Sequence, residues 1–401
     1  MSSAGAPPLA IVLLAFAAFA AAANMRAVDP LLIAIAAEYG TSVGEASIAA
    51  TTFLLANGLF VLVHGPLGDR FGKVPVVTAG AIGAALFSGL SALAGSLETL
   101  AVARFLTGVT SSAIIPLAIA WVGDRVSYDR RQATLARFLT GQTLGLMAGA
   151  ALGGAIGDWL GWRAAFWLLA VVYVASALAL LLVARAQPAL LATGARSEGS
   201  MLAQMRRVLA RPWARFVIVT VAIEGGLFWG AFTFVGADLH RRFELDRAAV
   251  GLAVAAFAAG GFLYVSAAPR LLAWLGERGL CLGGGVLLGV AFAALAIAPG
   301  LAVAFAAIVA SGVGFYMFHN TLQTHGTQMA PEARGAAMAL FALCLFIGQA
   351  IGVPLAAPVV DRWGAVPLFA GIAIALPVLA WTFARGLARR TADQASGARQ
   401  T

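Results

Sequence analysis

The sequence predicts an all-α membrane protein, with twelve transmembrane helices in two pseudo-symmetric six-helix bundles. Three observations predict it. Of 401 residues, 61% are hydrophobic and only 11% charged, against about 45–50% and about 25% in soluble domains. The apolar residues fall in long continuous runs. The two halves of the chain also repeat one another. Mean hydropathy is +0.92. A water-facing surface could not hide this much apolar side chain, which excludes a cytosolic enzyme, a nucleic-acid-binding domain and a disordered regulator.

A spanning helix needs roughly 20 apolar residues, so twelve need about 240. The runs lie at 9–37, 45–66, 75–96, 99–122, 132–157, 163–184, 213–237, 248–270, 279–298, 301–325, 335–360 and 364–386. A membrane barrel would instead alternate over ten-residue segments. The first run reads as a span and not a signal peptide: no Lys or Arg precedes it, and Pro7–Pro8 stands at its entrance. The longest polar break divides the chain into an N-terminal six-helix bundle (1–184), a cytoplasmic linker (185–212) and a C-terminal bundle with a cytoplasmic tail (213–401). A basic amphipathic stretch at 201–211 is expected on the inner membrane surface.

The net charge is +9. In this setting it reflects basic residues gathered on cytoplasmic loops rather than a nucleic-acid partner. With the N-terminus inside, the inner loops and margins hold Arg70, Lys73, Arg125, Arg130, Arg131, Arg137, Arg185, Arg196, Arg206, Arg207, Arg211, Arg215, Arg270, Arg278, Arg334, Arg385, Arg389, Arg390 and Arg399. The outer ends hold Arg163, Arg241, Arg242, Arg247 and Arg362. Both termini are therefore expected to be cytoplasmic, in a multi-pass protein of the cell inner membrane.

The repeat is legible residue by residue. Arg131, Ala133, Gly145, Gly149, Asp158, Gly161 and Phe166 are each followed 203 positions later by the same residue: Arg334, Ala336, Gly348, Gly352, Asp361, Gly364 and Phe369. Two parallel six-span halves suit alternating access, in which the halves rock about a shared site.

The loop after span 2 reads Gly65-Pro-Leu-Gly-Asp69-Arg70-Phe-Gly72-Lys73. Gly65 and Gly72 permit close approach and a tight turn. Asp69 can cap a helix N-terminus, and Arg70 and Lys73 can pair with Asp124, so the loop reads as a gating latch. Its second-half counterpart, Pro269-Arg270 to Gly276-Glu277-Arg278, has lost this pattern, and the latch is expected on one side only. The loop resembles the signature of the major facilitator superfamily, G-x-x-x-D-R-x-G-R/K. The resemblance covers essentially the whole chain and implies the superfamily fold, with spans 1, 4, 7 and 10 lining a central cavity and a monomer as the usual state.

Span 4 opens on Arg104-Phe-Leu-Thr-Gly108, which resembles the superfamily's span-4 arginine motif. A charged Arg within a span needs a partner or a wet cavity. Span 1 carries Asn24-Met-Arg26-Ala-Val-Asp29-Pro30. Arg26 and Asp29 share a helical face, near the depth of Arg104, and the three are expected to form one charge cluster. The segment resembles the drug:proton antiporter motif D-x-x-L-P: Asp29 and Leu32 match, and Ile33 stands in the last place. Span 5 carries Gly141, Gly145, Gly149, Gly153 and Gly157, a smooth ridge for close helix packing. It resembles the antiporter motif G-x-x-x-G-P-x-x-G-G, taken in that branch as a mark of export, with Ala150 in place of Pro.

Glu224 lies in the middle of span 7, where low dielectric disfavours its charged form and suits it to carry a proton. With Asp29, Arg104 and Arg26 it makes the proton-coupling set. Span 10 is the most polar span. Phe315, Tyr316, His319, Asn320 and Gln323 there, with Phe228, Trp229 and Asn24, combine aromatic faces with hydrogen-bonding groups as ligand cavities do. His titrates near neutrality, which suits a relay, and His325 is expected to face the inner water. The cysteines, Cys281 and Cys344, make no spaced framework, and no metal site is expected.

The function expected is secondary active transport by alternating access: proton-coupled efflux of small organic compounds or drugs. A proton-coupled importer or a facilitator of a sugar, carboxylate or other nutrient remains the alternative. There is no P-loop, so the proton gradient and not ATP supplies energy, and no cofactor is expected. No G-x-S-x-G or H-E-x-x-H pattern signals an enzyme. The partners expected are the lipid bilayer, the small-molecule substrate and protons, with no nucleic acid.

Overall fold

The structure is a computed structural model describing residues 8–126, 128–187 and 201–397. Arg196 and Arg399, and the side chains of Arg130, Arg131 and Arg137, lie outside what is described. Among the described residues the chain is helical and has no strand. Eleven helices are long and apolar enough to cross a membrane. One of them, 51 residues long, holds a non-helical residue, Gly276 (φ 64°, ψ 176°). Divided there it makes two spans, and the twelve crossings of the sequence are recovered. The residues form two compact units, Met1–Gln204 with His240–Ala255 and Met205–Leu239 with Ala256–Thr401.

In the first unit, span 1 is not continuous. It runs as α1 (Pro8–Arg26), a 3₁₀ turn (Asp29–Leu31) and α2 (Leu32–Tyr39). Pro30 has no N–H, and its ring excludes the carbonyl four residues back, where α1 ends. A short helix, α3 (Val43–Ala46), leads into α4 (Ile48–Phe71), and α5 (Lys73–Ala92) follows. Span 4 divides into α6 (Leu97–Ser111) and α7 (Ile114–Arg125); Pro116 acts on Ser112 as Pro30 does on Arg26. Ser96 caps α6, accepting from the Thr99 amide at 3.3 Å while the Thr99 hydroxyl accepts from the Ser96 amide at 3.0 Å. Then come α8 (Tyr128–Trp159) and α9 (Trp162–Ala186).

The packing of α8 on α1 explains its glycines. A Cβ at Gly145, Gly149 or Gly153 would collide with the carbonyl oxygens of Phe19, Ala23 and Ala27 in turn. Backbone meets backbone along a seam of Gly and Ala, which is how helices associate where lipid removes the hydrophobic drive. Residues 240–255 join this unit at Gly154, where a Cβ would strike the Arg247 carbonyl and Gly251. Arg247 lies 3.7 Å from Asp158 there.

The second unit holds α10 (Met201–Ala210) from Met205 onward, and α11 (Pro212–Phe232). The start of α12 (Val235–Phe243) follows a break at Thr233–Phe234 that no proline explains. The unit continues with α13 (Arg247–Ile297), α14 (Leu301–Gln328), α15 (Arg334–Trp363) and α16 (Ala365–Gly397). Here α15 lies on α11 as α8 lies on α1. A Cβ at Gly348 would strike the Ala222 carbonyl, and one at Gly352 the Gly226 carbonyl.

The repeat also shows in the backbone. Gly161 and Gly364, 203 apart, both have positive φ (84° and 78°), and so do Gly72 and Gly276 (91° and 64°). Outward faces carry large apolar side chains, among them Leu86, Val171, Val290 and Ile374, as lipid contact requires.

Gly149→Ala and Gly352→Ala are expected to lower stability by about 1–3 kcal/mol each through overpacking, read as a fall in thermal midpoint in detergent. Gly123→Ala and Gly371→Ala, where a Cβ meets nothing within 4 Å, should leave it unchanged or raise it.

Candidate functional site

Two buried polar centres stand out, one in each unit. In the first, Arg104 on α6 is fully buried. Its Nε donates to the Ala49 carbonyl at 3.0 Å, and Nη2 to the Asn24 carbonyl at 3.3 Å. Nη1 donates to Asn24 Oδ1. The guanidinium lies over the ring of Phe53 at 4.4 Å and near that of Phe166 at 5.4 Å. A charged Arg at the centre of a span costs about 2.5–3.5 kcal/mol. Three hydrogen bonds and two aromatic faces offset it, since bonds to charged groups contribute about 1.5–3 kcal/mol each. Asn24 is equally buried, and its amide donates to Ser88 Oγ at 3.0 Å. Arg104 therefore ties α1 and α4 to α6.

Asp29 is held elsewhere. It pairs with Arg26 at 3.4 Å, both being buried, and its other oxygen, Oδ1, has no hydrogen-bond partner. Direct contacts thus form an Arg26–Asp29 pair and an Arg104–Asn24 knot, and the charges of Arg104 and Asp29 still act on one another between them. Asn24, read as lining a cavity, is consumed in the knot.

The second centre is Glu224 on α11. Its side chain is 0% exposed, and Oε2 lies 2.8 Å from His319 Nδ1 on α14. One shared proton satisfies both atoms. Oε1 has no partner. The imidazole stacks on Phe315 (4.9 Å, 10°) and meets Phe341 at 5.6 Å. Beyond it Phe228, Trp229, Phe232, Phe257 and Phe315 pack ring on ring, with Phe228 and Phe315 4.6 Å apart. Phe228, Trp229 and Phe315 are thus a closed aromatic block rather than an open lining. On the same helix Tyr316 and Asn320 are half-buried, and Gln323 and Thr324 are exposed, so a polar stripe runs beside His319. The imidazole is 11% exposed and the carboxyl that it meets is 0% exposed.

At the other end of the site elements lie the turns. Lys73 bonds Asp124 and lies 3.6 Å from Asp69; Arg70 instead sits over Phe71 at 5.1 Å. A Cβ at Gly65 would touch Met201 of α10. In the second unit, His325 is buried and not turned to water. Its Nε2 lies 3.2 Å from Glu277 Oε2. The turn that reads as eroded keeps its glycine geometry and a cross-helix pair. Sequence reasoning missed the contacts of His319 and His325, since neither partner is near in the chain. Among the described residues no cluster of His, Cys, Asp and Glu could hold a metal ion.

Known proteins resemble this chain in sequence and in fold. The family model of the Major Facilitator Superfamily matches residues 14–353. A chloramphenicol resistance protein of Streptomyces lividans is 28% identical over 355 residues, 87% of this chain and 88% of that protein. The multidrug efflux protein YfmO of Bacillus subtilis (strain 168) is 26% identical over 387 residues, covering 92% and 93%. Among solved structures, a POT family transporter crystallised with 5-aminolevulinic acid superposes with a TM-score of 0.76. It covers 93% of this chain and 95% of its own at 14% identity, a likeness of fold.

Arg104→Lys should lower thermal stability by about 2–4 kcal/mol, because an ammonium cannot reach three acceptors in the plane that the guanidinium spans. Melting in detergent checks this, with Arg70→Lys as an unaffected control.

Proposed function

The chain belongs to the major facilitator superfamily and is a transporter rather than an enzyme, and from that premise we propose that it exports small organic compounds against their gradient in exchange for protons. Glu224 carries the proton, and His319 passes it between the carboxyl and the polar stripe of α14. The observation that carries this reading is the buried Glu224–His319 contact at 2.8 Å, with the second carboxyl oxygen unpartnered. A carboxyl at that depth needs a polar partner, and the imidazole is the one it has.

Two relatives named for drug resistance and efflux support the direction and the substrate class. The drug-bearing state and the proton-bearing state then alternate in their access to the two sides of the membrane. The proton gradient is the energy source, and no cofactor takes part. We place the chain in the inner membrane as a monomer, with both termini and the Gly65–Lys73 loop in the cytoplasm. Asp29, with one oxygen bound to Arg26 and one open, is the second candidate for coupling. Arg104, fully engaged by Asn24 and Ala49, serves as a tie.

Inverted vesicles with an imposed pH gradient test the proposal, using substrates found by growth-inhibition profiles of deletion and overexpressing strains. Glu224→Gln should abolish gradient-driven accumulation while leaving substrate exchange at zero gradient. His319→Gln should slow the driven flux, and Asp29→Asn should reduce it less than Glu224→Gln does. Full driven flux in Glu224→Gln, or accumulation that an uncoupler does not touch, would refute the assignment.

A further inference from the structure

In the second unit the first turns of α11 meet α16 near its last apolar residues. Phe216 stacks on Phe383 (5.6 Å, 15°), and a Cβ at Gly386 would strike the Phe216 ring. An arginine stands beside each half of that contact. Arg215 precedes Phe216, Arg385 precedes Gly386, and both are exposed, as is Arg389 one turn further along α16. The sequence places no acid among them: residues 201–223 and 365–390 hold seven Arg and no Asp or Glu. Arg211 is matched by Glu332 at 2.8 Å, and the Glu277 carboxylate is turned to His325 at 3.2 Å. Among the described residues Arg215, Arg385 and Arg389 have no carboxylate at ion-pair distance.

Two of these cations are held in place. The Arg385 guanidinium lies on the indole of Trp381, 3.6 Å from the ring centre. A guanidinium on an aromatic face directs its N–H groups outward in its own plane, toward an acceptor beside the ring. Arg215 Nη1 donates to the Leu209 carbonyl at 3.2 Å, which fixes its head at the end of α10. Side chains already fixed lose less rotamer freedom when an anion arrives, the loss that makes most exposed ion pairs weak. Arg390 is turned the other way, over Trp213 at 4.5 Å.

From the arginines two exposed apolar stripes run along the spans. On α11, Arg215, Val219 and Ile223 recur every four residues; on α16, Arg385, Trp381, Val378 and Ile374 recur every three or four. Each stripe therefore keeps to one helical face. A soluble anion would meet the arginines and leave the stripes uncovered, and a neutral lipid would do the reverse. We propose that this α11–α16 surface binds one anionic phospholipid, its phosphate held by Arg215 and Arg385 with Arg389 beside them, and an acyl chain lying along Val219 and Val378. Charge and hydrocarbon are recognised together, as basic residues at the membrane end of a span allow. The site stands apart from Glu224–His319 and does not depend on the transport reading. On the orientation proposed above it lies in the inner leaflet.

Native mass spectrometry of the delipidated full-length protein tests it, with phosphatidylglycerol and phosphatidylcholine of the same acyl chains as probes. One phosphatidylglycerol should bind about tenfold more tightly than phosphatidylcholine. Arg215→Gln with Arg385→Gln should abolish that preference. Trp381→Leu keeps every charge and the apolar stripe but removes the face that holds Arg385, and should lower the preference about threefold. Arg270→Gln with Arg278→Gln, two exposed arginines flanking the Gly276 turn, should leave it unchanged. All the substituted side chains are exposed, so the fold should survive each change. Inorganic phosphate in large excess should not compete. Equal binding of the two lipids, a preference that survives Arg215→Gln with Arg385→Gln or is unmoved by Trp381→Leu, or an equal loss in the Arg270 and Arg278 variant overturns the inference. Competition by inorganic phosphate, or a second copy of the chain in place of the lipid, overturns it as well.

Discussion

The close backbone approach of α8 to α1, repeated by α15 on α11, is the contact on which the rest of this structure depends. In hydrocarbon, apolar side chains gain nothing from leaving lipid for one another, so association rests on how near two backbones can come. Gly149 against Ala23 and Gly348 against Ala222 leave no room for a side chain. The functional groups sit beside these contacts: Asn24 follows Ala23, and Glu224 lies two residues after Ala222. The seam holds those residues at fixed depth and rotation, facing away from α8 and α15 toward the interiors of their units. A shift of one residue along either seam would rotate Asn24 away from Arg104, or Glu224 away from His319.

Given such placement, electrostatics selects what can be buried. Arg104 is tolerated because Asn24 and Ala49 present oxygens in its plane and Phe53 presents a face. The break in span 1 after Arg26 frees backbone from the helical ladder next to Asp29 and Arg26, where Pro30 already forbids a regular turn. Broken spans and buried charges therefore occur together for one reason: irregular backbone and ionisable groups both need polar company at membrane depth.

Much of the fold was legible in the sequence, because its signals are one-dimensional. Continuous apolar runs mark spans, and a 203-residue repeat of Gly145, Gly149 and Gly161 marks the duplication, which the structure repeats down to the positive φ of Gly161 and Gly364. Pro30 and Pro116 could have announced the breaks in spans 1 and 4; nothing comparable announces the break at Thr233. The site was legible in membership more than in pairing. Glu224 and His319 both drew attention as polar groups in apolar spans, but they lie 95 residues apart, and no periodicity links two helices separated by several others. His325 misled for the same reason. The end of span 10 is polar in composition and reads as water-facing, while the rings that bury it, Trp213 and Phe383, come from α11 and α16. The Gly276 turn reads as eroded in its charges, yet it keeps the positive φ of the glycine and a charged residue after it, Glu277 where the first unit has Lys73.

Duplication usually leaves two copies free to diverge, and here the divergence has a direction. In the first unit the cations that join helices include Arg104, Lys73, Arg163 and Arg247. In the second unit the contacts described above are those of His319 with Glu224 and of His325 with Glu277, with an imidazole where the first unit has a guanidinium or an ammonium. The two units thus share the seams and turns that position their cross-helix contacts while differing in the chemistry of the side chains that make them.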